Sequence, residues 1–261
     1  MPDPSLVLLH VEDGIATVTI NRPKAMNALN VETLLRLEEA LDECGRREDV
    51  KVLIVTGAGD KSFVAGADIA GMRAMGVTEG RAFSELGQRV FGKLEKMPKP
   101  VIAAVNGYAL GGGTELAVSC DIVLASEKAR FGQPEVNLGV FPGFGGTQRL
   151  PRLLGKARAK EIIFSGEQFD APRALAIGLI NRICSPEALL PEARELARAI
   201  LSKGTAAIGL AKQAIEAGSE VDFENGLIIE RHCFAQCFDT KDQKEGMTAF
   251  LEKREPKFIG K

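Results

Sequence analysis

Hydrophobic and polar residues in the first part of the chain follow patterns typical of strands and helices in alternation. β-Branched alternation on both sides of Asp13-Gly14 predicts a hairpin of two strands, Leu6–His10 and Ile15–Asn21. Apolar residues at helical spacing then predict a helix over Val31–Arg47. The chain therefore begins with a strand pair followed by a helix.

Three uninterrupted apolar runs predict strands that are buried on both faces. They are VKVLIVTG, which ends at Gly57, KPVIAAV over Lys99–Val105, and DIVLA over Asp121–Ala125. Helical residues from about Glu79 to Lys96 separate the first run from the second. Parallel strands joined by helical crossovers are the simplest way to bury such runs, so the pattern predicts an α/β fold.

After about Pro186 the pattern contains no further strand run and predicts helices over Glu192–Leu201, Ala206–Ala217, Phe223–Phe238 and Gln243–Arg254. The third of these helices carries a wide apolar stripe made of Phe223, Leu227, Phe234 and Phe238. Two interpretations remain open at this point. The stripe packs on the core of its own chain, or it is buried against a neighbouring subunit.

Composition narrows the class of protein. The charges nearly balance, with 33 Lys plus Arg against 35 Asp plus Glu, which argues against a nucleic-acid binder held by phosphate contacts. The first residues form no signal-peptide pattern, and no apolar run approaches the roughly 18 residues of a membrane span. The five cysteines are odd in number and scattered, as in proteins of a reducing compartment. We therefore expect a cytoplasmic protein with no nucleic-acid and no membrane partner.

Several common catalytic patterns are missing from the sequence. No GxGxxG follows the first strand, which disfavours a nicotinamide-dependent redox enzyme, and GxSxG is absent. His10 and His232 fall on a hairpin strand and a C-terminal helix, so a serine or cysteine nucleophile has no evident histidine base. Cys233 and Cys237 lie one helical turn apart, but neither histidine completes a ligand spacing with them, so we interpret them as buried or half-buried thiols rather than a metal site.

The segment ALGGGTEL is the first that indicates chemistry. A buried strand ends near Val105, and a helix is predicted to begin at the glycines, where free N–H groups and the helix dipole favour negative charge. Glu115 lies in the first turn of this almost wholly apolar helix. It is either an exposed residue that stabilises the dipole or, because the flanking strands are buried, a carboxyl facing a cavity. A carboxyl in a cavity would have a pKa suited to acid/base work.

Two further segments accompany it. In FGQPE, Pro134 fixes the backbone just before Glu135, and a glycine-rich run follows. Taken alone, Glu135 is more typical of a surface loop, but beside Glu115 it suggests a pair of carboxylates. The loop Phe63–Ile69 follows a strand end, where ligands bind in open α/β sheets, and its small residues allow a backbone N–H to face a substrate atom.

Together these segments resemble the enoyl-CoA hydratase (crotonase) family. The resemblance runs in order through NRPKAMNAL, FVAGADI, AAVNGYALGGGTELAVSCD, FGQPEVNLGVFPGFGGTQRLPRLLG and EGMTAFLEKREPKF. It implies an α/β fold with a crotonase-like spiral of ββα units as the catalytic core over residues 1–195. It also implies a C-terminal helical oligomerisation region over residues 196–261 that builds a homotrimer or a dimer of trimers.

The resemblance also implies site residues. Glu115 and Glu135 would be the catalytic carboxylates, and Ala67 and Gly112 would supply the two N–H groups of an oxyanion hole. Gly143 would orient the second carboxylate or its water. The implied contacts to the acyl-CoA substrate are Lys24, Met26, Ala65, Ala67, Asp68, Ile69, Ala70, Gly112, Gly143, Phe250 and Lys253. Of these, Lys24 and Met26 would flank the nucleotide portion of the acyl-CoA. Phe250 and Lys253, near the C-terminus of the chain, would contact the same portion.

The activity implied is hydration of a short- or medium-chain trans-2-enoyl-CoA to a 3-hydroxyacyl-CoA, with no metal and no cofactor beyond the coenzyme A of the substrate. Because both carboxylate positions hold Glu, hydratase is preferred over enoyl-CoA isomerase or another crotonase-type reaction. A non-catalytic binding protein with the same fold is a further alternative. Ala70 departs from the longer, often basic, side chain of many hydratases, which puts a substrate contact there in question.

Overall fold

The computed structural model describes residues 3–261 and arranges its strands in two sheets. The strands are β1 (Val7–Glu12), β2 (Ile15–Ile20), β3 (Val52–Gly57), β4 (Ser62–Val64), β5 (Val101–Val105), β6 (Tyr108–Leu110), β7 (Ile122–Ser126), β8 (Arg130–Gly132), β9 (Gln168–Asp170) and β10 (Arg182–Cys184). The larger sheet has the order β1-β2-β3-β5-β7-β10 and the smaller one β4-β6-β8-β9. Pairing is parallel except in β1–β2 and β8–β9.

Helices surround and extend these sheets. They are α1 (Val31–Arg46), α2 (Ile69–Met72), α3 (Val77–Lys96), α4 (Gly112–Val118), α5 (Gly146–Leu154), α6 (Lys156–Ser165), α7 (Ala171–Ala176), α8 (Leu189–Leu201), α9 (Thr205–Gly218), α10 (Phe223–Cys237) and α11 (Lys241–Glu252). Side-chain caps fix several starts: Asn30, Asp222 and Thr240 each accept a backbone N–H from the residue three positions on. No helix in residues 3–261 is long and apolar enough to cross a membrane.

The chain winds through the two sheets in a repeating order. In each of the pairs β3–β4, β5–β6 and β7–β8, the first strand joins the larger sheet, the second joins the smaller one, and helical residues follow. This is the spiral of ββα units, so the predicted fold is confirmed. The predicted hairpin, the three buried strands and the C-terminal helices are present, with boundaries that differ by a few residues.

The core explains why the central strands are apolar throughout. All six residues of β3 are buried. Leu53 and Val55 pack into the main core that includes α1 and α3, whereas Val52 and Ile54 pack on the other face against α8. Because both faces of the strand exclude water, the sequence shows a continuous run and no alternation.

The three phenylalanines of the stripe on α10 are not buried by their own chain, whereas Leu227 is half-buried. Phe223, Phe234 and Phe238 are 77%, 65% and 44% exposed, so packing on the chain's own core does not account for them. The helix α9 is nevertheless attached firmly to the core. The buried Lys212 ammonium donates to Asp121 Oδ2 at 2.8 Å and to the backbone oxygen of Leu94 at 2.6 Å.

Candidate active site

The loop after β4 is held by backbone hydrogen bonds to the residues before α1. Ala65 N–H donates to Met26 O at 3.0 Å, Leu29 N–H donates to Gly66 O at 2.9 Å, and Asp68 N–H donates to Leu29 O at 2.8 Å. In this parallel pairing the N–H of Ala67 points away from Leu29, and within residues 3–261 it has no acceptor. A free, oriented donor therefore stands at Ala67.

Glycines bring the start of α4 against this loop. Gly111 adopts φ +52°, a left-handed value that favours glycine, and turns the chain from β6 into the helix. A Cβ on Gly113 would lie 1.9 Å from the backbone oxygen of Val64, so only glycine allows α4 to approach β4 this closely. Gly112 lies between Gly111 and Gly113 and is buried. It carries one of the first-turn N–H groups that a helix leaves without an internal partner. Two backbone donors, on Ala67 and Gly112, thus lie on adjoining segments.

Glu115 is buried in the first turn of α4, with 1% of its surface exposed. Its Oε1 accepts hydrogen bonds from the N–H groups of Phe144 at 2.8 Å and Gly146 at 2.6 Å. Burial raises the pKa of this carboxyl from 4.5 to about 7, although the two N–H donors and the charge of Arg149 oppose the rise. Of the two interpretations of Glu115, an exposed residue that only stabilises the dipole is therefore wrong.

Glu135 is half-buried in a short 3-10 helix, Pro134–Leu138, that follows β8. The Gln133 amide is fully buried, and with its nitrogen turned to the carboxylate it donates to the two oxygens of Glu135 at 3.0 and 3.1 Å. Burial is the main cause that raises the pKa of Glu135 to about 7, and the neighbouring Glu115 raises it further.

The two carboxyls are neighbours, and each lies against a glycine. A Cβ on Gly111 would lie 2.5 Å from Oε1 of Glu135, and the Glu115 carboxyl is close enough for its charge to raise the pKa of Glu135. A Cβ on Gly146 would lie 3.0 Å from both Cγ of Glu115 and the amide of Gln133. Two carboxyls with pKa values near neutrality can each take up or release a proton at neutral pH, which suits general acid/base catalysis.

The other predicted contact residues divide into two groups. The first group is half-buried or exposed: Ala65, Asp68, Ile69 and Ala70 lie on the loop around Ala67, and Lys24 and Met26 lie before α1, where Met26 O accepts the N–H of Ala65. Asp68 is fixed by an ion pair with Arg22 at 3.0 Å. Phe250 and Lys253 lie on and just after α11, and the hydrogen bonds of residues 3–261 do not join them to the rest of the site. Their roles stay predictions.

Gly143 and Gln133 complete the neighbourhood. Gly143 is half-buried, and its N–H has no acceptor within residues 3–261, so it is free to bind a ligand atom or a water. The sequence predicted no role for Gln133. The signal that could have indicated one is its place two residues before Glu135 in an otherwise apolar strand end, where a buried amide requires a polar partner.

The structure shows where the two cysteines of α10 and the two histidines lie. Cys233 is buried and Cys237 is half-buried, and within residues 3–261 no three His, Cys, Asp or Glu side chains are grouped as metal ligands would be. His10 and His232 are both exposed.

Comparisons with known proteins agree with this geometry. A sequence model described as "Enoyl-CoA hydratase/isomerase" matches residues 10–261. The chain is 53% identical over 255 residues to the crotonyl-CoA hydratase of Syntrophomonas wolfei, covering 98% of each chain. It is 53% identical over 248 residues to the short-chain-enoyl-CoA hydratase of Clostridium acetobutylicum, covering 95% of each. The crystal structure of an enoyl-CoA hydratase from Bacillus anthracis superposes with a TM-score of 0.94 at 38% identity, covering 98% of this chain and 100% of the other.

Proposed function

Because this chain belongs to the enoyl-CoA hydratase/isomerase family, we propose that it adds water across the 2,3 double bond of a trans-2-enoyl-CoA thioester. One observation supports this proposal above the others. Two neighbouring carboxyls, Glu115 and Glu135, both have a pKa near 7, and Glu135 lies against Gly111, next to the free backbone donor of Gly112. A site of this kind can move two protons and stabilise one developing negative charge.

In the proposed mechanism, water adds to C3 of the enoyl thioester and the electron pair of the double bond moves onto the thioester oxygen. The N–H groups of Ala67 and Gly112 donate to that oxygen, and each donor lowers the barrier by about 3 kcal/mol. Glu115, whose ionised form is stabilised by two N–H donors on Oε1, removes a proton from the attacking water, and the Glu135 carboxyl delivers a proton to C2. Gly143 N–H helps to hold the water. The product is a 3-hydroxyacyl-CoA, and dehydration follows the same path in reverse.

We propose a short acyl chain as the preferred substrate. Two relatives that share 53% identity with this chain bear the names crotonyl-CoA hydratase and short-chain-enoyl-CoA hydratase. The packing supports a small acyl site, because the buried Phe144 ring lies beside Gly112, within 3.1 Å of the position that a Cβ there would occupy. A bulky ring at this place leaves little room next to the proposed oxyanion hole.

We also propose that the helices of residues 196–261 form an oligomer interface, as in a trimer or a dimer of trimers. The exposed aromatic side chains of α10 support this, since large apolar surfaces of this kind mark association sites. Phe250, 82% exposed on α11, then stands where it can contact the acyl-CoA of a neighbouring subunit, together with Lys253. Sedimentation velocity of the purified chain measures the association state directly, and a monomer at micromolar concentration would contradict this interface.

The test of the activity is a chain-length series. The purified protein is incubated with enoyl-CoA thioesters from crotonyl-CoA upward, and loss of absorbance from the conjugated thioester is followed. We expect the highest kcat/KM with crotonyl-CoA, and incorporation of solvent oxygen at C3 in labelled water. Absence of turnover at every chain length would refute the proposal. Double-bond migration without uptake of oxygen would instead identify an isomerase.

A further inference from the structure

Two polar side chains of α3 hold the backbone of Gly143 from the side opposite the carboxylates. Ser84 Oγ donates to Gly143 O at 2.5 Å, and Gln88 Nε2 donates to the same oxygen at 3.0 Å. Gln88 also donates to Ser84 Oγ at 3.1 Å, so the two side chains form a short chain of hydrogen bonds. Both lie one helical turn apart on α3 and outside the set of residues assigned above.

The oxygen they bind belongs to the peptide group that serves Glu115. Gly143 C=O and Phe144 N–H are parts of one planar unit, and in a trans peptide they point in opposite directions. The N–H of this unit donates to Glu115 Oε1 at 2.8 Å. Donors on the carbonyl therefore fix the direction of the N–H, and they also polarise the peptide, which strengthens the bond to the carboxylate.

The next peptide, between Phe144 and Gly145, is linked to α3 through Arg149 of α5. Arg149 Nη1 donates to Phe144 O at 2.8 Å, and its guanidinium pairs with Glu95 of α3 through a second hydrogen bond of 2.8 Å. The Phe144 ring packs edge-on against Phe83 and Phe91 of α3, with ring centres 5.0 and 5.6 Å apart. The backbone that carries the two donors to Glu115 is thus secured to α3 at consecutive positions.

We propose that Ser84 and Gln88 are positioning residues for Glu115, acting through the Gly143–Phe144 peptide that they bind. The inference rests on the proposed function for its catalytic consequence. A peptide without these donors turns more freely and gives a weaker hydrogen bond to the buried carboxylate. The protonated form of Glu115 is then favoured, and at neutral pH a smaller fraction of the enzyme has the ionised carboxylate.

The experiment compares pH profiles of kcat and KM for crotonyl-CoA hydration. The variants are Ser84→Ala, the double variant Ser84→Ala/Gln88→Ala, and Ser84→Thr, which keeps the hydroxyl. Glu85→Gln is the matched control, because Glu85 neighbours Ser84 on the same helix but its pair with Arg81 is exposed. Circular dichroism and sedimentation of each variant establish that it is folded and assembled like the wild type.

We expect Ser84→Ala to lower kcat about twofold at pH 7, because a rise of about half a unit from a pKa near 7 roughly halves the ionised fraction of Glu115, while KM stays nearly unchanged. The apparent pKa that the kcat profile reports for Glu115 should rise by about half a pH unit, and by more in the double variant. Ser84→Thr and Glu85→Gln should keep the wild-type profile. A uniform loss at every pH without a rise of the apparent pKa of Glu115, or the same loss in Ser84→Thr, would overturn the proposal.

A second measurement separates this inference from the proposed activity. The titration of Glu115 is followed by NMR of carboxyl carbons in wild type and Ser84→Ala, with the Glu115→Gln variant to assign the signal. A rise of the titration midpoint in Ser84→Ala supports the positioning role even in a protein that fails to hydrate crotonyl-CoA. An unchanged midpoint refutes it, whatever the wild-type activity.

Discussion

Replacing Glu115 with glutamine is expected to lower activity and raise stability at the same time. Glutamine has nearly the same shape, and its Oε1 can accept the N–H groups of Phe144 and Gly146 as the carboxylate does. It cannot exchange a proton. Removal of one general acid/base group costs about two to four orders of magnitude in kcat. The fold is preserved because no atom is deleted from the buried site.

The stability change follows from the pKa. Burial raises the pKa of Glu115 from 4.5 to about 7, so the folded protein binds this proton more tightly than the unfolded chain does. A difference of this size corresponds to about 3 kcal/mol. The stability that the protonated form contributes is fully present below pH 4.5 and is lost as the pH rises to about 7. Glutamine does not titrate, so its advantage over wild type should grow through that window and be constant above it.

The assay is denaturant unfolding of wild type and Glu115→Gln at a series of pH values and one fixed protein concentration, beside kcat for crotonyl-CoA. In the difference between the two proteins, the titration of all other groups largely cancels. Glu135 adds to the effect in the same direction, since the charge of Glu115 contributes to its raised pKa. A stability difference that does not depend on pH, or a variant with wild-type kcat, would refute the reasoning.

Three other substitutions test separate parts of the structure. Glu135→Gln should lower kcat at least about a hundredfold while the affinity for CoA, measured by calorimetry, stays within about threefold; a parallel loss of affinity would assign the residue to binding. Gly111→Ala places a Cβ 2.5 Å from Oε1 of Glu135 on a left-handed backbone, so turnover should fall at least about tenfold while the circular dichroism stays native. Wild-type turnover in this variant would contradict the close contact between Gly111 and Glu135. Lys212→Met leaves the Asp121 carboxylate without its cation, and urea unfolding should show a loss of about 3 kcal/mol. The double variant Lys212→Met/Asp121→Asn should recover part of this loss, because Asn removes the unpaired charge and keeps an acceptor for the N–H of Val101.

Much of the fold could be predicted because its signals are local. The buried strands β3, β5 and β7 appear as apolar runs, and the helices of the last part of the chain appear through their spacing. The smaller sheet gave no such signal. Its strands β4, β6, β8 and β9 have three residues each, too few for a period to be recognised, and they exist because they pair with one another.

The site residues also differ in how far local sequence could predict them. Glu115 could be singled out from sequence because an acidic residue in an apolar helix that starts at glycines is locally unusual. Its environment could not be predicted, because the N–H groups that bind it lie 29 and 31 positions further along the chain. Glu135 alone resembled a surface residue, and only the folded chain places it against Gly111.

By itself, the sequence determined where the α/β core has its central strands, where the helix with Glu115 begins and which family the motifs resemble. These features depend on residues that are neighbours along the chain. The tertiary structure alone decided that both carboxyls are desolvated enough to titrate near neutrality, and that Ser84 binds the carbonyl of Gly143, 59 positions away. Burial and hydrogen bonding of this kind depend on what the fold brings together, and no local pattern records it.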